Sequence, residues 1–309
     1  MDNSIVIRTI IPILLLIGTG FISRKTKVLK SGDERVLNAY LYYFAFPALL
    51  FINLAQSTFT EETLRFVLAG SLPVPIAIAV FSVFYLIFRF KKSTLYLLIL
   101  STIFGSLAFF GIPFVTFAFP EGGEQLATLA TAAISPMSVA ISIAILEIYR
   151  LEGSENGGGL FIVAKRLARN PLILSVFAGA VISLLGLDIP APVSASLHML
   201  GGTTSTVAIF LLGVFLYGRK YGNFGKAFGL SMLRVVFLPA LAFFTTSWFG
   251  LAGISRSTLV LMHGMPIAIS MIVLSERYNF YREIVASTIL ISSLAAGLYL
   301  NIWLVLLGY

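Results

Sequence analysis

Phe109-Phe110-Gly111-Ile112-Pro113-Phe114-Val115 lies inside an apolar run that extends from Leu95 to Phe119. Proline lacks the N–H that a helix needs, and its ring clashes with the carbonyl of the preceding turn. Glycine tolerates dihedrals outside the helical well. Gly111-Ile112-Pro113 therefore predicts a break within a long apolar helix. A matching tripeptide, Gly264-Met265-Pro266, interrupts a second run between Ser257 and Ser275. A break at membrane depth leaves amides and carbonyls unpaired, which is tolerable only beside protein or a watered cavity. One such site reads as an ordinary kink, but two at equivalent places read as a pair of broken, crossing helices.

Composition supplies the setting. The 309 residues are 58% hydrophobic and only 11% charged, and the mean hydropathy is +0.98. A soluble domain carries about a quarter charged residues, so a soluble globular enzyme is excluded. The net charge is +8, but the basic residues sit in short runs between apolar stretches, which argues against a nucleic-acid partner. With no cysteine and two histidines, disulfide scaffolds, thiolate metal sites and cysteine nucleophiles are excluded, and no metal site is expected.

A helix crossing the hydrocarbon core needs about 20 residues. Read with that ruler, the chain yields ten spans. They run near Ile5–Phe21, Leu37–Ala55, Phe66–Phe88, Leu95–Phe119 and Gln125–Tyr149, then Pro171–Leu187, Ala195–Tyr217, Phe228–Phe249, Ser257–Ser275 and Ile284–Leu307. These runs are too long for β-barrel strands of about 10 residues. The expected fold is all-α and integral to the membrane.

The leader Met1-Asp2-Asn3-Ser4 has no basic region and basic residues follow the first span, so the first span reads as an anchor and not as a signal peptide. Arg24, Lys25, Lys27, Lys30 and Arg35 follow span 1, Arg89, Lys91 and Lys92 span 3, and Arg150, Lys165, Arg166 and Arg169 span 5. Arg219, Lys220 and Lys226 follow span 7, and Arg277 and Arg282 span 9, whereas the loops after even spans hold only Arg65 and Arg256. Basic loops stay cytoplasmic. Both termini are therefore expected outside, in a multi-pass protein of a cell membrane.

Gly153-Ser154-Glu155-Asn156-Gly157-Gly158-Gly159 reads as a flexible linker. It divides the chain into a first five-helix repeat, 1–152, a cytoplasmic linker, 153–169, and a second repeat, 170–309. An odd number of spans per half makes the second repeat enter the membrane inverted, an arrangement common in secondary transporters. The two Gly-x-Pro tripeptides fall in helices 4 and 9, the fourth span of each half.

These residues also carry a resemblance. Phe44-Ala45-Phe46-Pro47-Ala48-Leu49-Leu50-Phe51, Arg166-Leu167-Ala168-Arg169-Asn170-Pro171 and Ile209-Phe210-Leu211-Leu212-Gly213-Val214-Phe215 are similar to segments of the auxin efflux carrier family. So are Gly111-Ile112-Pro113, Met265-Pro266 and Ser275-Glu276-Arg277-Tyr278-Asn279, and the match runs through the whole chain in order. The short linker resembles bacterial members. The resemblance implies a ten-helix fold shared with bile acid/sodium symporters and sodium/proton antiporters. Spans 1, 2, 6 and 7 would form a scaffold, and spans 3–5 and 8–10 a transport domain. It also implies a secondary active, elevator-type carrier for a small organic anion such as a carboxylate. Where plant carriers have an asparagine seven residues before the span 4 proline, this chain has Ser106, and Ile267 stands where they tend to carry a polar residue. Both depart from a plant-like auxin site.

Polar residues in lipid are functional suspects. The expected substrate-binding set is Ser106, Gly111, Ile112, Pro113, Ser135, Ser138, His263, Gly264, Met265 and Pro266. Ser135, Ser138 and Ser142 could line a site or simply allow close packing and bond back to their own helix. Thr203, Thr204 and Ser205 look like packing residues, and Asn53 suits either a cavity or the outer interface. Arg234 could snorkel to water or take an anion or coupling role. Glu147 is expected to be solvated or paired with a neighbouring arginine. His263, beside a predicted break, could titrate near its ordinary pKa of about 6.5 and couple transport to protons, or could plug a freed carbonyl.

No cofactor is expected, and coupling to H+ or Na+ is open. The expected partners are the anion and the bilayer, with a homodimer left open. An intramembrane enzyme lacks its chemistry here, since there is no HExxH and no aspartate within a span. The alternatives are a channel and a substrate-sensing receptor without active transport.

Overall fold

The structure, a computed structural model, describes residues 3–56, 60–151, 165, 168–169, 171–218 and 221–309. Most of the Gly-rich linker lies outside these residues. The described helices are α1 (Asn3–Lys25), α2 (Asp33–Ala55), α3 (Glu61–Phe88), α4 (Lys92–Ile103), α5 (Leu107–Ala118) and α6 (Gly123–Leu151). They continue as α7 (Pro171–Leu184), α8 (Ala191–Leu216), α9 (Phe224–Trp248), α10 (Gly253–His263), α11 (Ser270–Tyr278) and α12 (Arg282–Leu306). Among the described residues there is no strand, only one isolated antiparallel bridge between Gly105 and Ile267. Six of the helices, α2, α3, α6, α8, α9 and α12, are long and apolar enough to cross a membrane. Phe84, Ile87 and Phe88 on α3, Phe177 on α7 and Leu294 and Leu298 on α12 are exposed. Such surfaces suit a lipid solvent and not water.

Proline shapes these helices in a regular way. Three π-helical turns, Leu41–Ala45, Leu107–Gly111 and Leu233–Phe237, each end two residues before a proline: Pro47, Pro113 and Pro239. Widening one turn relieves the clash between the ring and the carbonyl behind it. This corrects the first predicted break. Gly111-Ile112-Pro113 lies within the helical stretch α5, and its proline is absorbed by the turn before it. The chain breaks instead at Phe104–Ser106, where there is no proline. The second break falls where predicted, between α10 and α11, and contains Gly264-Met265-Pro266.

Two compact units are present, and each draws on both halves of the sequence. Unit 1 comprises Met1–Leu64, Ala108–Ala132 and Arg169–Arg219. Its core sets Leu41, Ala45 and Phe46 of α2 against Ala208, Leu211 and Val214 of α8, and the Phe109 ring lies 4.4 Å from that of Phe46. α1 packs on α8 so closely that a Cβ at Gly213 would stand 1.9 Å from the Ile17 carbonyl oxygen. Asn53 is buried here, its Nδ2 donating to Thr128 Oγ1 at 3.0 Å.

Unit 2 comprises Arg65–Leu107, Ala133–Ala168 and Lys220–Tyr309. The resemblance assigns all of spans 4 and 5 to one domain; the contacts divide both, at Leu107 and Ala132. Proline-freed carbonyls in unit 2 find side-chain donors. Pro73 cannot donate to Ala69 O, which accepts from Thr245 Oγ1 at 3.0 Å. Pro239 leaves Val235 O to Trp303 Nε1 at 2.8 Å, and Pro266 leaves Met262 O to Arg234 Nη2 at 3.4 Å. In lipid each such group left alone costs several kcal/mol, so these partners are what make the prolines tolerable.

Candidate functional site

Within unit 2 the two breaks meet. Ser106 N donates to Pro266 O at 2.8 Å, and Ala268 N donates to Phe104 O at 3.0 Å. The two bonds flank the Gly105–Ile267 bridge as one short antiparallel rung. Two non-helical segments thus satisfy each other's backbone where neither helix can. Ile267 N adds a bond to Ser292 Oγ at 3.3 Å.

Arg234, on the π turn of α9, reaches into this junction. Its side chain is 0% exposed, which corrects the expectation that it snorkels to water. Nε donates to Met265 O at 2.8 Å, Nη1 to Thr102 O at 2.7 Å and Nη2 to Met262 O at 3.4 Å. A Cβ on Gly105 would stand 1.6 Å from Nη2, so only glycine fits against the guanidinium. Among the described residues no carboxylate pairs with Arg234.

The predicted residues separate into those at the junction and those elsewhere. Ser106, Gly264, Met265 and Pro266 form it, and all four are buried. His263 ends α10 beside it, fully buried, with Nε2 donating to Gly70 O at 2.7 Å. That leaves Nδ1 without a partner among the described residues. Gly111, Ile112 and Pro113 are also buried, but they belong to unit 1 and not to the break. Ser135 and Ser138 are on the part of α6 in unit 2, and neither bonds to the break residues. Ser138 Oγ and Ser142 Oγ are buried without hydrogen-bond partners among the described residues, so neither bonds back to its own helix.

Other polar residues settle into structural places. Glu147 is 1% exposed, not solvated; it accepts from the Tyr278 hydroxyl and pairs with Arg150 at 2.9 Å. Thr203 Oγ1 bonds to the Tyr40 hydroxyl at 2.7 Å within unit 1. Sequence reasoning missed Thr102, Gly105 and Ser292. Gly105 carried a signal, being a glycine in an apolar run, but the nearby Gly111-Ile112-Pro113 masked it. Among the described residues no group of three or more His, Cys, Asp or Glu could hold a metal ion.

Long apolar helices, two of the apolar stretches interrupted and their freed polar groups sealed by backbone and arginine, are the architecture of a polytopic membrane protein. The family described as membrane transport protein matches residues 5–154 and 159–304, and the chain belongs to it. An uncharacterized transporter of Methanocaldococcus jannaschii is 26% identical over 304 residues, covering 94% of this chain and 95% of its own. A Rhizobium meliloti protein provisionally named a malonate transporter is 26% identical, covering 92% of this chain and 90% of its own. Auxin efflux carrier component 2 of Oryza sativa is 26% identical over 64% of this chain and 30% of its own. The family and these relatives are transporters, not enzymes.

Proposed function

We propose that the protein is a secondary active carrier of the elevator type for a small organic anion, with unit 2 as the moving body and unit 1 as the scaffold. The observation that carries this reading is the junction of two broken helices inside unit 2. Within unit 2, α11 starts at the second break. A helix N-terminus carries about +0.5 charge and unpaired amides, so it can hold a carboxylate without a dedicated lysine. Ser106, Ser135, Ser138, Gly264, Met265 and Pro266 are the proposed contacts. The relative named for malonate makes malonate the first anion to test.

The fold that goes with this function has ten spans in two inverted repeats, with α4–α5 and α10–α11 each forming one broken span. The basic-loop bias supports both termini outside a bacterial inner membrane. Single cysteines at Glu121 and Asn279 of the Cys-free chain then label from opposite sides of intact cells. The functional test is uptake into proteoliposomes of a panel of small carboxylates, malonate included. Saturable uptake accelerated by the same anion inside the vesicle is the expected result. Uptake without such counterflow would make the protein a channel, and binding without uptake a receptor.

A further inference from the structure

The three carbonyls that Arg234 holds have each lost a helical donor for an identifiable reason. Thr102 O stands at the end of α4, and Ser106 N, four residues on, donates to Pro266 O instead. Met262 O faces Pro266 four residues on, which has no N–H, and keeps only a 3.3 Å bond from Met265 N. Met265 O lies in the break itself. Two of these oxygens are at the C-terminal ends of α4 and α10. Each helix end carries about −0.5 charge, so two ends ask for about one positive charge. One guanidinium supplies it.

Backbone carbonyls converging at a helix break inside a membrane are the ligands that coupling cations such as sodium take in secondary transporters. Here those oxygens are already engaged at 2.7, 2.8 and 3.4 Å by a side chain that cannot lose its charge. The backbone of Gly105 closes against the same guanidinium. We propose that Arg234 is the resident monovalent cation of the junction, occupying the carbonyl ligands a sodium ion would need. The junction then binds no sodium, and removing the guanidinium creates a site for a small monovalent cation. Among the described residues no carboxylate pairs with the guanidinium. The junction therefore has no paired anion to draw in a second cation. The proposal deepens the transport reading by naming the coupling ion that is excluded, but its test needs no transported substrate.

Thermal unfolding of the purified full-length protein is followed in sodium, potassium and choline chlorides at equal ionic strength. The parent should unfold at the same temperature in all three. Arg234→Ala should unfold roughly 10 °C lower in choline, as expected for loss of one partner from a buried charged network. Sodium or low guanidinium chloride should then restore several degrees. A sodium-specific rise in the parent overturns the proposal, as does an Arg234→Ala protein that responds to neither ion. Should the alanine variant yield no folded protein, Arg234→Lys and Arg234→Met decide the matter: Lys should fold and Met should not. Equal folding of the two overturns the proposal. Anion uptake by the parent in sodium and in choline then tests the transport reading separately, with equal rates expected.

Discussion

The two breaks in unit 2 do the same thing with different sequences. Between α10 and α11 the gap contains Gly264 and Pro266, and the proline removes the donor that Met262 O would have used. Between α4 and α5 the gap is Phe104-Gly105-Ser106, with no proline. Pro113, which should mark that break, sits in a helix that continues through it. A proline beside a glycine is therefore neither necessary nor sufficient for a break. What the two breaks share is a set of partners: each other's backbone and the guanidinium of Arg234. The helices open where two non-helical segments can pair with each other around a buried cation, whereas a single widened turn lets a helix run on through its proline.

The largest expected effect tests the proline-free break. A methyl at Gly105 would stand 1.6 Å from Arg234 Nη2 and must displace a buried guanidinium. Losing one side of such an arrangement costs about 3–5 kcal/mol. Gly105→Ala should therefore lower initial anion uptake at least 100-fold in proteoliposomes, with the protein still inserted in the membrane. Uptake within fivefold of the parent would show that the first break tolerates a side chain.

The two prolines should separate next. Pro266→Ala restores an N–H that competes with Arg234 for Met262 O, and one hydrogen bond to a charged group is worth about 1.5–3 kcal/mol. A fall in uptake of roughly tenfold is expected. Pro113→Ala lets α5 tighten its π turn and should leave uptake within about twofold of the parent, since a π turn merely accommodates the ring. Equal losses from both substitutions would restore the symmetric reading of the two tripeptides.

Trp303→Phe examines a proline-freed carbonyl away from the breaks. It leaves Val235 O without its indole donor, at about 1–3 kcal/mol. The unfolding temperature should fall by several degrees while the uptake KM stays put. The smallest effect is expected at His263, whose Nε2 holds Gly70 O. Glutamine can place an N–H at a similar reach, so His263→Gln should keep both uptake rate and pH profile between about pH 5 and 8. A flattened profile at an unchanged rate would instead make His263 the proton-coupling group.

Much was determined by the sequence alone. Its hydropathy and scarcity of charge dictate long apolar helices, because lipid offers no partner to an exposed backbone and only internal bonding survives there. Gly264-Met265-Pro266 marked its break locally, because the missing N–H is a property of the residue itself. The basic loops and the Gly-rich linker were likewise legible as composition. Only the tertiary structure decided where the other break falls, because that depends on which carbonyls an arginine more than a hundred residues away can reach. Arg234 looked like a snorkelling residue in one dimension and proved fully buried in three. The reason is electrostatic: two helix ends and a bent segment supply enough oxygen to hold a cation that the bilayer would otherwise reject.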